Sequence, residues 1–320
     1  MSHMKALYFD GIELGMRTVE APSPERGEIL VKVLYAGICS TDLEILGGYM
    51  DFSGIPGHEF VGIALGGDLE GRRVTGAINV PCGGCATCAK GMGKHCPERT
   101  VLGISGRDGA FAEYLVLPAG NLYPVPDPVD DRSAVMAELL AAAGEFVPRV
   151  GIGPGIRAAV LGDGRLAAMT ALVLRNAAAG PVIFGRDPKK LSVLRAEGFD
   201  ARETGGTGPD RRSFDLAVDC TGSPGGPGAA LGLVRPGGTV VIKSTFRGTA
   251  ELDTTRIAVD EITVVGSRCG DIGRALELLE SGEACVSPFI SALYPLSRWK
   301  EAFEKTRKPG TFKVLLEIGR

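Results

Sequence analysis

The 320-residue sequence has no long run of lysine and arginine or of aspartate and glutamate. Its 35 basic and 38 acidic residues leave a net charge of -3 at pH 7. Proteins that bind nucleic acids or anionic membrane surfaces often concentrate charge of one sign in such runs. We therefore expect neither a nucleic-acid nor a membrane partner.

Long apolar segments and targeting signals are also absent. The longest apolar stretches, residues 134–143 and 166–179, are interrupted by Glu138 and by Arg175 and Asn176, whereas a membrane-spanning helix needs about 20 mostly apolar residues. A secretory signal has a basic segment followed by an apolar stretch, and the start MSHMKALYF has neither. We expect a cytoplasmic protein, in which clustered cysteines bind metals or carry redox chemistry more often than they form structural disulfides.

The sequence divides into two regions of different pattern. From residue 5 to about 126, short strand-like segments such as EILVKVLYA and EFVGIAL alternate with glycine and proline, which predicts a small antiparallel barrel or sandwich. Beyond residue 155, strand-like and helix-like segments alternate from RAAVLG through FDLAVDC, a Gly/Pro loop and GTVVIK to EITVVGS. This alternation indicates an α/β region with a parallel sheet and crossover helices.

Four of the eight cysteines lie in the segment PCGGCATCAKGMGKHC. The spacing C-x2-C-x2-C-x7-C lets one loop surround a tetrahedral Zn²⁺, and a shell of four thiolates leaves no open position for substrate. An iron–sulfur cluster is an alternative, but ferredoxin motifs close with a shorter gap; a redox or metal-free site is another. The sequence favours a structural zinc bound by Cys82, Cys85, Cys88 and Cys96.

A second candidate metal site combines residues that are distant in sequence. Cys39 lies in GICSTDLEI and His58 in IPGHEFVG; a thiolate and an imidazole with an open position are what catalytic zinc requires. Either residue alone is more often an ordinary core side chain. Glu138 lies on the apolar stripe of a helical segment, where its carboxylate either turns to solvent or is satisfied by a partner such as a metal.

Six features, taken in order, resemble the zinc-dependent medium-chain dehydrogenase/reductase family. They are GICSTD, GHE, the four-cysteine loop, DGAFAEY at residues 108–114, the Glu138 helix and a glycine fingerprint, LGDGRLA, that begins near Gly162. The resemblance covers nearly the whole chain. It implies a GroES-like catalytic β domain with the zinc loop over residues 1–130, a Rossmann domain over 131–268 and a return to the catalytic domain over 269–320. It also implies reversible NAD(P)-linked oxidation of a small-molecule secondary alcohol, polyol or sugar by a homodimer or homotetramer.

The resemblance also implies a second, catalytic zinc. Cys39 and His58 would bind it, and either Glu59 or Glu138 would be the acidic ligand. The polyol and sugar branches of the family carry glutamate at the position of Glu138, where plain alcohol dehydrogenases carry cysteine. Asp42 would orient the His58 ring.

Three residues near Cys39 take further roles by the same resemblance. Thr41 falls where the family has the hydroxyl that receives the substrate proton. Glu44 stands where a histidine often forms the outer end of that relay. Ser40 would contact a cofactor phosphate.

The segment LGDGRLA is the G-x-G-x-x-A fingerprint of a dinucleotide-binding turn. Gly162 and Gly164 permit the tight turn and the close approach of a pyrophosphate to the helix that begins there, and Ala167 permits close packing. Asp163 is unusual at a phosphate site, so either its side chain turns away or Arg165 offsets its charge. The predicted cofactor-binding residues are Ser40, Gly162, Gly164, Arg165, Leu166, Ala167, Gly185, Arg186 and Thr221.

The tip of the second strand, FGRDPKKL, bears on the choice of cofactor. NAD sites usually have an acid there that binds the ribose hydroxyls, but Gly185 occupies that position and Arg186, which suits a 2'-phosphate, follows it. Asp187 is either a displaced ribose acid or, before a proline, a helix N-cap. Arg186 and the two following lysines also fit a solvated surface cluster. The sequence favours NADP(H) over NAD(H).

Two other functions compete with a zinc-dependent dehydrogenase. A zinc-free reductase of activated C=C bonds, as in the quinone and enoyl reductase branches, would lack the set of Cys, His and Glu ligands. A nucleotide-sensing binding protein would bind cofactor without turnover. The sequence does not identify the substrate alcohol.

Overall fold

The computed structural model of the chain describes residues 3–48, 50–205 and 211–319. Its strands are β1 (His3–Phe9), β2 (Leu14–Glu20), β3 (Glu28–Ile38), β4 (Glu59–Leu65), β5 (Arg73–Gly76), β6 (Asn79–Val80), β7 (Thr100–Leu102), β8 (Gly106–Arg107), β9 (Tyr114–Pro118), β10 (Leu122–Pro124), β11 (Arg157–Leu161), β12 (Gly180–Gly185), β13 (Asp200–Glu203), β14 (Phe214–Asp219), β15 (Val234–Ile242), β16 (Thr263–Gly266), β17 (Ile290–Pro295) and β18 (Lys313–Glu317).

The helices are α1 (Ser40–Leu46), α2 (Ala86–Ala89), α3 (Asp131–Val135), α4 (Ala137–Gly144), α5 (Val147–Val150), α6 (Arg165–Asn176), α7 (Pro188–Ala196), α8 (Gly226–Leu233), α9 (Thr254–Val259), α10 (Ile272–Glu280) and α11 (Trp299–Thr306). Within the described residues, none of these helices combines the length and the apolar composition that a membrane crossing requires.

The first large sheet combines both ends of the chain. Its strand order is β10-β5-β4-β3-β18-β17, and β9 also pairs with β3. The long central strand β3 pairs antiparallel with β4 on one side and with β18 on the other. The carboxyl-terminal strand β18 therefore lies directly beside β3, the strand that leads to Cys39.

The second large sheet consists of parallel strands in the order β13-β12-β11-β14-β15-β16. Helix α6 crosses from β11 to β12, and α7 crosses from β12 to β13. This is the doubly wound order of a Rossmann fold, in which the strand order reverses between β11 and β14 and ligands bind at the carboxyl ends of the strands. The predicted fold class, an antiparallel β region followed by a doubly wound α/β region, is confirmed.

The structure differs from the sequence-based prediction in several connections. The supposed Gly/Pro loop after β14 contains helix α8, with Pro227 in its first turn, where proline is tolerated. A helix is needed there because parallel strands β14 and β15 require a crossover connection. The short strands β2, β13 and β17 and helix α9 were also not predicted. The proposed domain boundaries stay a prediction, although β17 and β18 do join the first sheet.

Candidate active site

Two neighbouring strands bring the candidate metal ligands together. Strand β3 ends just before Cys39, and β4 begins at Glu59, directly after His58; Gly37 and Glu59 face each other in the ladder. The ligand atoms of Cys39, His58 and Glu59 all lie within 4.8 Å of one another. The backbone N–H of Cys39 donates to Asp42 at 2.7 Å, which holds the thiol at the amino-terminal end of α1.

The electrostatic surroundings of Cys39 and His58 favour a thiolate beside a protonated imidazole, and a metal that binds there displaces the His58 proton. His58 Nδ1 lies 3.4 Å from Asp42 Oδ1, a contact too loose for a hydrogen bond but close enough for a strong charge interaction. Burial opposes protonation of His58, but Asp42 and Cys39 raise its pKa well above the usual value. Burial and Glu59 oppose ionisation of Cys39, yet His58 and Lys313 lower its pKa overall. The site therefore favours the thiolate, which is the form that binds a metal.

Glu59 is completely buried, and its two carboxylate oxygens differ in their contacts. Oε2 accepts a hydrogen bond from Nζ of Lys313, which lies on β18 and is also completely buried. Oε1 is buried without a hydrogen-bond partner in the described part of the chain. A thiolate, an imidazole and a carboxylate oxygen form a donor set that suits Zn²⁺. These residues therefore fit the metal, which would also satisfy the free oxygen of Glu59.

Glu138 lies in the first turn of α4 and is only 8% exposed. The interpretation that its carboxylate turns to solvent is therefore wrong. Its oxygens do not belong to the group of ligand atoms within 4.8 Å of one another. Burial raises the pKa of Glu138 to about 7; the His58 charge lowers it and the Glu59 charge raises it. Glu138 thus lies near the cluster without being part of it.

The predicted proton-relay residues lie on α1 beside the cluster. Thr41 is partly buried, and its Oγ1 lies 3.8 Å from the sulfur of Cys39. Glu44 is exposed one turn further along the helix. The hydroxyl of Ser40 accepts a hydrogen bond from Arg165 of the glycine fingerprint. These residues therefore connect the buried cluster with solvent and with the second sheet.

The four cysteines of the loop lie at distances that suit a tetrahedral metal. The measured sulfur–sulfur distances are 3.5 Å for Cys85–Cys88 and Cys82–Cys96, 3.8 Å for Cys85–Cys96 and 4.0 Å for Cys82–Cys88. A zinc ion with four sulfur ligands at about 2.3 Å requires sulfur–sulfur distances of about 3.8 Å. A hydrogen bond from the backbone of Cys88 contributes most to lowering the pKa of Cys85, to about 6. This loop fits a closed four-thiolate metal site.

The glycine fingerprint lies at the turn from β11 into α6. Gly162 has φ +114°, and a Cβ there would lie 2.6 Å from the carbonyl oxygen of Cys220, so only glycine fits. At Gly164 an added Cβ would have no neighbour within 4 Å, which leaves the start of α6 open to a phosphate group. Leu166 and Ala167 lie in the first turn of that helix. Arg165 donates to Ser40 and to the carbonyl of Phe312 at 3.2 Å.

The tip of β12 resolves two of the sequence alternatives. The carboxylate of Asp187 accepts backbone hydrogen bonds from Lys189, Lys190 and Gly310, so Asp187 is the N-cap of α7. Asp163 turns towards the strand tip and accepts from the backbone N–H groups of Arg186 and Asp187 at 2.5 and 2.7 Å. Backbone N–H groups at the tip of β12 therefore compensate the Asp163 carboxylate, and the hydrogen bonds of Arg165 go to other partners.

Two remaining predicted cofactor residues lie at exposed or polar positions. The side chain of Arg186 is exposed at the tip of β12. Thr221, just after β14, donates its hydroxyl to Asp219 at 2.8 Å. The two parallel strands that carry these residues flank β11 and its glycine turn. The predicted cofactor residues therefore gather around the carboxyl ends of the parallel strands.

Sequence reasoning missed two buried lysines. Lys313 belongs to the segment FKVLLEIG, where it is the single positive charge in a mostly apolar strand, and it pairs with Glu59, 254 positions earlier. Lys243 follows β15, is 8% exposed and contacts the last turn of α4. A lone lysine within an apolar run was the available signal, but it could not identify the partner.

Comparison with known proteins adds independent findings. Residues 25–127 match the family model of the alcohol dehydrogenase GroES-like domain. The chain is 29% identical to L-galactonate-5-dehydrogenase of Escherichia coli (strain K12), over 92% of each chain. It is 30% identical to L-threonine 3-dehydrogenase of Streptomyces avermitilis, over 98% of this chain and 99% of that protein.

Similar solved structures cover nearly the whole chain. An alcohol dehydrogenase of Escherichia coli CFT073 in complex with NADH has a TM-score of 0.92 at 26% identity, over 99% of this chain and 100% of that one. A protein of Sinorhizobium meliloti 1021, described as a zinc-binding dehydrogenase and bound to NADP, has a TM-score of 0.91 at 28% identity, also over 99% and 100%.

Proposed function

Because this chain belongs to the zinc-dependent medium-chain dehydrogenase/reductase family of oxidoreductases, we propose that it oxidises a secondary alcohol, polyol or sugar to the carbonyl with NADP(H). The observation that carries the proposal is the largely buried cluster of Cys39, His58 and Glu59, in which one Glu59 oxygen has no hydrogen-bond partner among the described residues. L-galactonate-5-dehydrogenase, a relative of similar length, supports a polyhydroxylated substrate.

In this proposal Cys39, His58 and Glu59 bind the catalytic zinc. Zn²⁺, when bound, supplies Lewis-acid polarisation of the alcohol oxygen. Asp42 holds the His58 ring, and Lys313 donates to Glu59 and holds it in place. Glu138 is close enough to influence the charge of the cluster and would accept a hydrogen bond from bound substrate or water.

The chain's own residues also provide a path for the substrate proton. Thr41 relays the substrate hydroxyl proton by giving up its own hydroxyl proton as it accepts that of the substrate. Exposed Glu44 takes up the released proton and passes it to solvent, because residues three apart on a helix are neighbours. The nicotinamide, when bound, accepts the hydride. Ser40, Arg165 and the open turn at Gly164 would bind the cofactor pyrophosphate.

The proposed preference for NADP(H) depends on the tip of β12. Position 185 has no side chain, Asp187 is engaged as an N-cap, and Arg186 is exposed. A free guanidinium suits a phosphate, whereas a ribose with free hydroxyls favours an acid. We also propose a second, structural zinc at Cys82, Cys85, Cys88 and Cys96, and a homodimer or homotetramer.

The test is a panel of alcohols, polyols, aldoses and sugar acids assayed with NADP⁺ and NAD⁺ by nicotinamide absorbance, together with metal analysis. We expect dehydrogenation of at least one member and two zinc ions per chain. One zinc per chain, at the four-cysteine loop alone, would favour a reductase that has no catalytic zinc. Cofactor binding without any turnover would favour a nucleotide-sensing protein.

Variants of the cluster test the assignment of ligands. Cys39→Ala and His58→Ala should each lose one zinc ion per chain and more than about 99% of the activity, because only two ligands remain for the catalytic metal. Both should bind NADP⁺ as the unmodified protein does, since neither residue lies at the glycine fingerprint. Cys285→Ser, an exposed thiol, is the matched control. Full activity in either alanine variant would contradict the proposal.

A further inference from the structure

The tip of β12 carries an acid from an unexpected position. Rossmann sites for NAD usually place the ribose-binding acid at the end of the second strand, where this chain has Gly185. The structure places the carboxylate of Asp163, from the middle of the glycine fingerprint, against that same point. The acid is therefore contributed by the first turn instead of the second strand.

Side chains at positions 163 and 185 exclude each other in this arrangement. A Cβ added to Gly185 would lie 2.5 Å from the Cβ of Asp163, 2.6 Å from its Oδ2 and 2.9 Å from Leu191. Contacts under 3.0 Å between carbon atoms are prohibitive unless one group moves. The absence of a side chain at Gly185 is thus required by the orientation of Asp163.

The carboxylate of Asp163 also fixes the backbone on which Arg186 lies. One oxygen, Oδ2, accepts from the N–H groups of Arg186 and Asp187 at 2.5 and 2.7 Å. The other oxygen, Oδ1, lies 3.9 Å from Nζ of Lys190. Two charge-assisted hydrogen bonds to successive N–H groups restrain the backbone strongly.

The charges at this tip are unequally satisfied. Asp163 is bound by two N–H groups and a lysine, and Asp187 by three N–H groups. The guanidinium of Arg186 is exposed and has no hydrogen bond or ion pair with any residue that the structure describes. The free charge at the tip is therefore positive, although two acids lie beside it.

We propose that Asp163 is a positioning residue for cofactor selection, whose carboxylate holds the tip of β12 so that Arg186 is available to the 2'-phosphate of NADP(H). The inference rests on the proposed use of NADP(H) and explains how the tip of β12 would select that cofactor. Asp163 acts through Arg186 and does not itself bind the ribose.

The test is a double-mutant cycle in the full-length protein with Asp163→Ala, Arg186→Ala and the double variant. Isothermal titration calorimetry measures the affinity for NADP⁺ and for NAD⁺. Each single variant should lose about tenfold in affinity for NADP⁺, the size of one charge-assisted hydrogen bond, with less than about threefold change for NAD⁺. The double variant should lose no more than about twofold beyond either single variant, because both changes remove one effect.

Two further variants separate positioning from a general structural effect. Asp163→Asn keeps an oxygen acceptor for the two N–H groups, so it should retain most of the preference for NADP⁺ and remains usable if Asp163→Ala does not fold. Asp200→Ala removes an acid that pairs with Arg202 on neighbouring strand β13 and should leave the preference unchanged.

Each other outcome has a distinct meaning. An Asp163→Ala protein that loses NAD⁺ affinity selectively would show that the carboxylate binds the ribose, which overturns the inference. Additive losses in the double variant, or an unchanged NADP⁺ affinity in Asp163→Ala, would also overturn it. An unmodified protein that binds NAD⁺ as tightly as NADP⁺ would instead contradict the proposed cofactor.

Discussion

Lys313 and Glu59 form an ion pair in which neither side chain is exposed. Removing two charges from water costs several kcal/mol for each, and the attraction within the pair and the hydrogen bond from Lys313 to the carbonyl of Ile38, at 3.4 Å, together offset this. The pair leaves Oε1 of Glu59 for a metal. A single residue from the last strand therefore provides the counter-charge for a carboxylate in the interior of the first sheet.

Lys313→Met should destabilise the metal-free protein by about 3 kcal/mol, because it leaves the Glu59 carboxylate buried without its counter-charge. With zinc bound the loss should be smaller, since the metal also compensates that charge. Urea unfolding of both forms measures the difference.

Lys32→Met is the matched control for Lys313→Met. Lys32 lies on β3 in the same sheet but is exposed, so its replacement should change the free energy of unfolding by less than about 0.5 kcal/mol. Equal stability losses in the two variants, or an equal loss for Lys313→Met with and without zinc, would contradict this explanation.

Among the secondary-structure elements, α4 joins the two sheets. Its first turn carries Glu138, and the carbonyl of Ala142 in its last turn accepts from Nζ of Lys243 at 2.5 Å. Lys243 follows β15 and also donates to Ser267, just after β16, at 3.0 Å. A cation at the carboxyl-terminal end of a helix is favourable, so this lysine ties α4 to the ends of two parallel strands.

The titration of Lys243 should make stability depend on pH. Burial lowers the pKa of Lys243 to about 8 from 10.5; charges of Cys220, Glu145, Cys269 and Glu138 oppose this shift. Between these pH values the unfolded chain holds a proton that the folded protein has lost, so the Lys243 contribution to stability rises with pH, by up to about 3 kcal/mol.

Comparison with Lys243→Met isolates this contribution, because the variant keeps the neighbouring thiols and acids. Urea unfolding at pH 7.5 and 10.5 should show the stability of the unmodified protein rising relative to the variant. A difference between the two proteins that does not change over this range would contradict the lowered pKa.

Periodicity predicted the elements whose segments have a clear apolar pattern and failed where turn-type residues obscure it. The alternation from RAAVLG to EITVVGS identified β11, α6, β12, α7, β14, β15 and β16, because each segment carries enough apolar residues to define its period. Helix α8 was missed because its segment GPGAALGL begins with residues typical of turns. Its helical state depends on the crossover between parallel strands, which is a tertiary requirement.

The candidate site was predictable where motifs carry local spacing. The four cysteines, Cys39, His58 and the N-cap Asp187 could each be recognised from their neighbours in the sequence. The role of Lys313 and the orientation of Asp163 could not, because both depend on a partner from a distant strand. Sequence patterns specify local geometry, whereas these contacts arise from strand order.

For the whole molecule, hydrogen bonds and ion pairs join segments that are distant in the sequence. Arg165 of the fingerprint donates to Ser40, and Arg247 donates to the carbonyl of Gly47 at 2.6 Å. Lys94 of the four-cysteine loop pairs with Glu145, just after α4. The loop is therefore anchored to the helix that joins the two sheets.

Loss of the loop metal should lower stability but not abolish catalysis. Cys96 is buried and lies 3.5 Å from the sulfur of Cys82; Cys96→Ser should reduce the metal content from two ions per chain to one, because three thiolates remain. The loop would no longer hold Lys94 against Glu145, so the thermal midpoint should fall by about 5 °C or more. Activity at low temperature should persist, since Cys39 and its cluster are unchanged. Cys285→Ser controls for loss of a thiol, and two metal ions in Cys96→Ser would contradict the four-cysteine site.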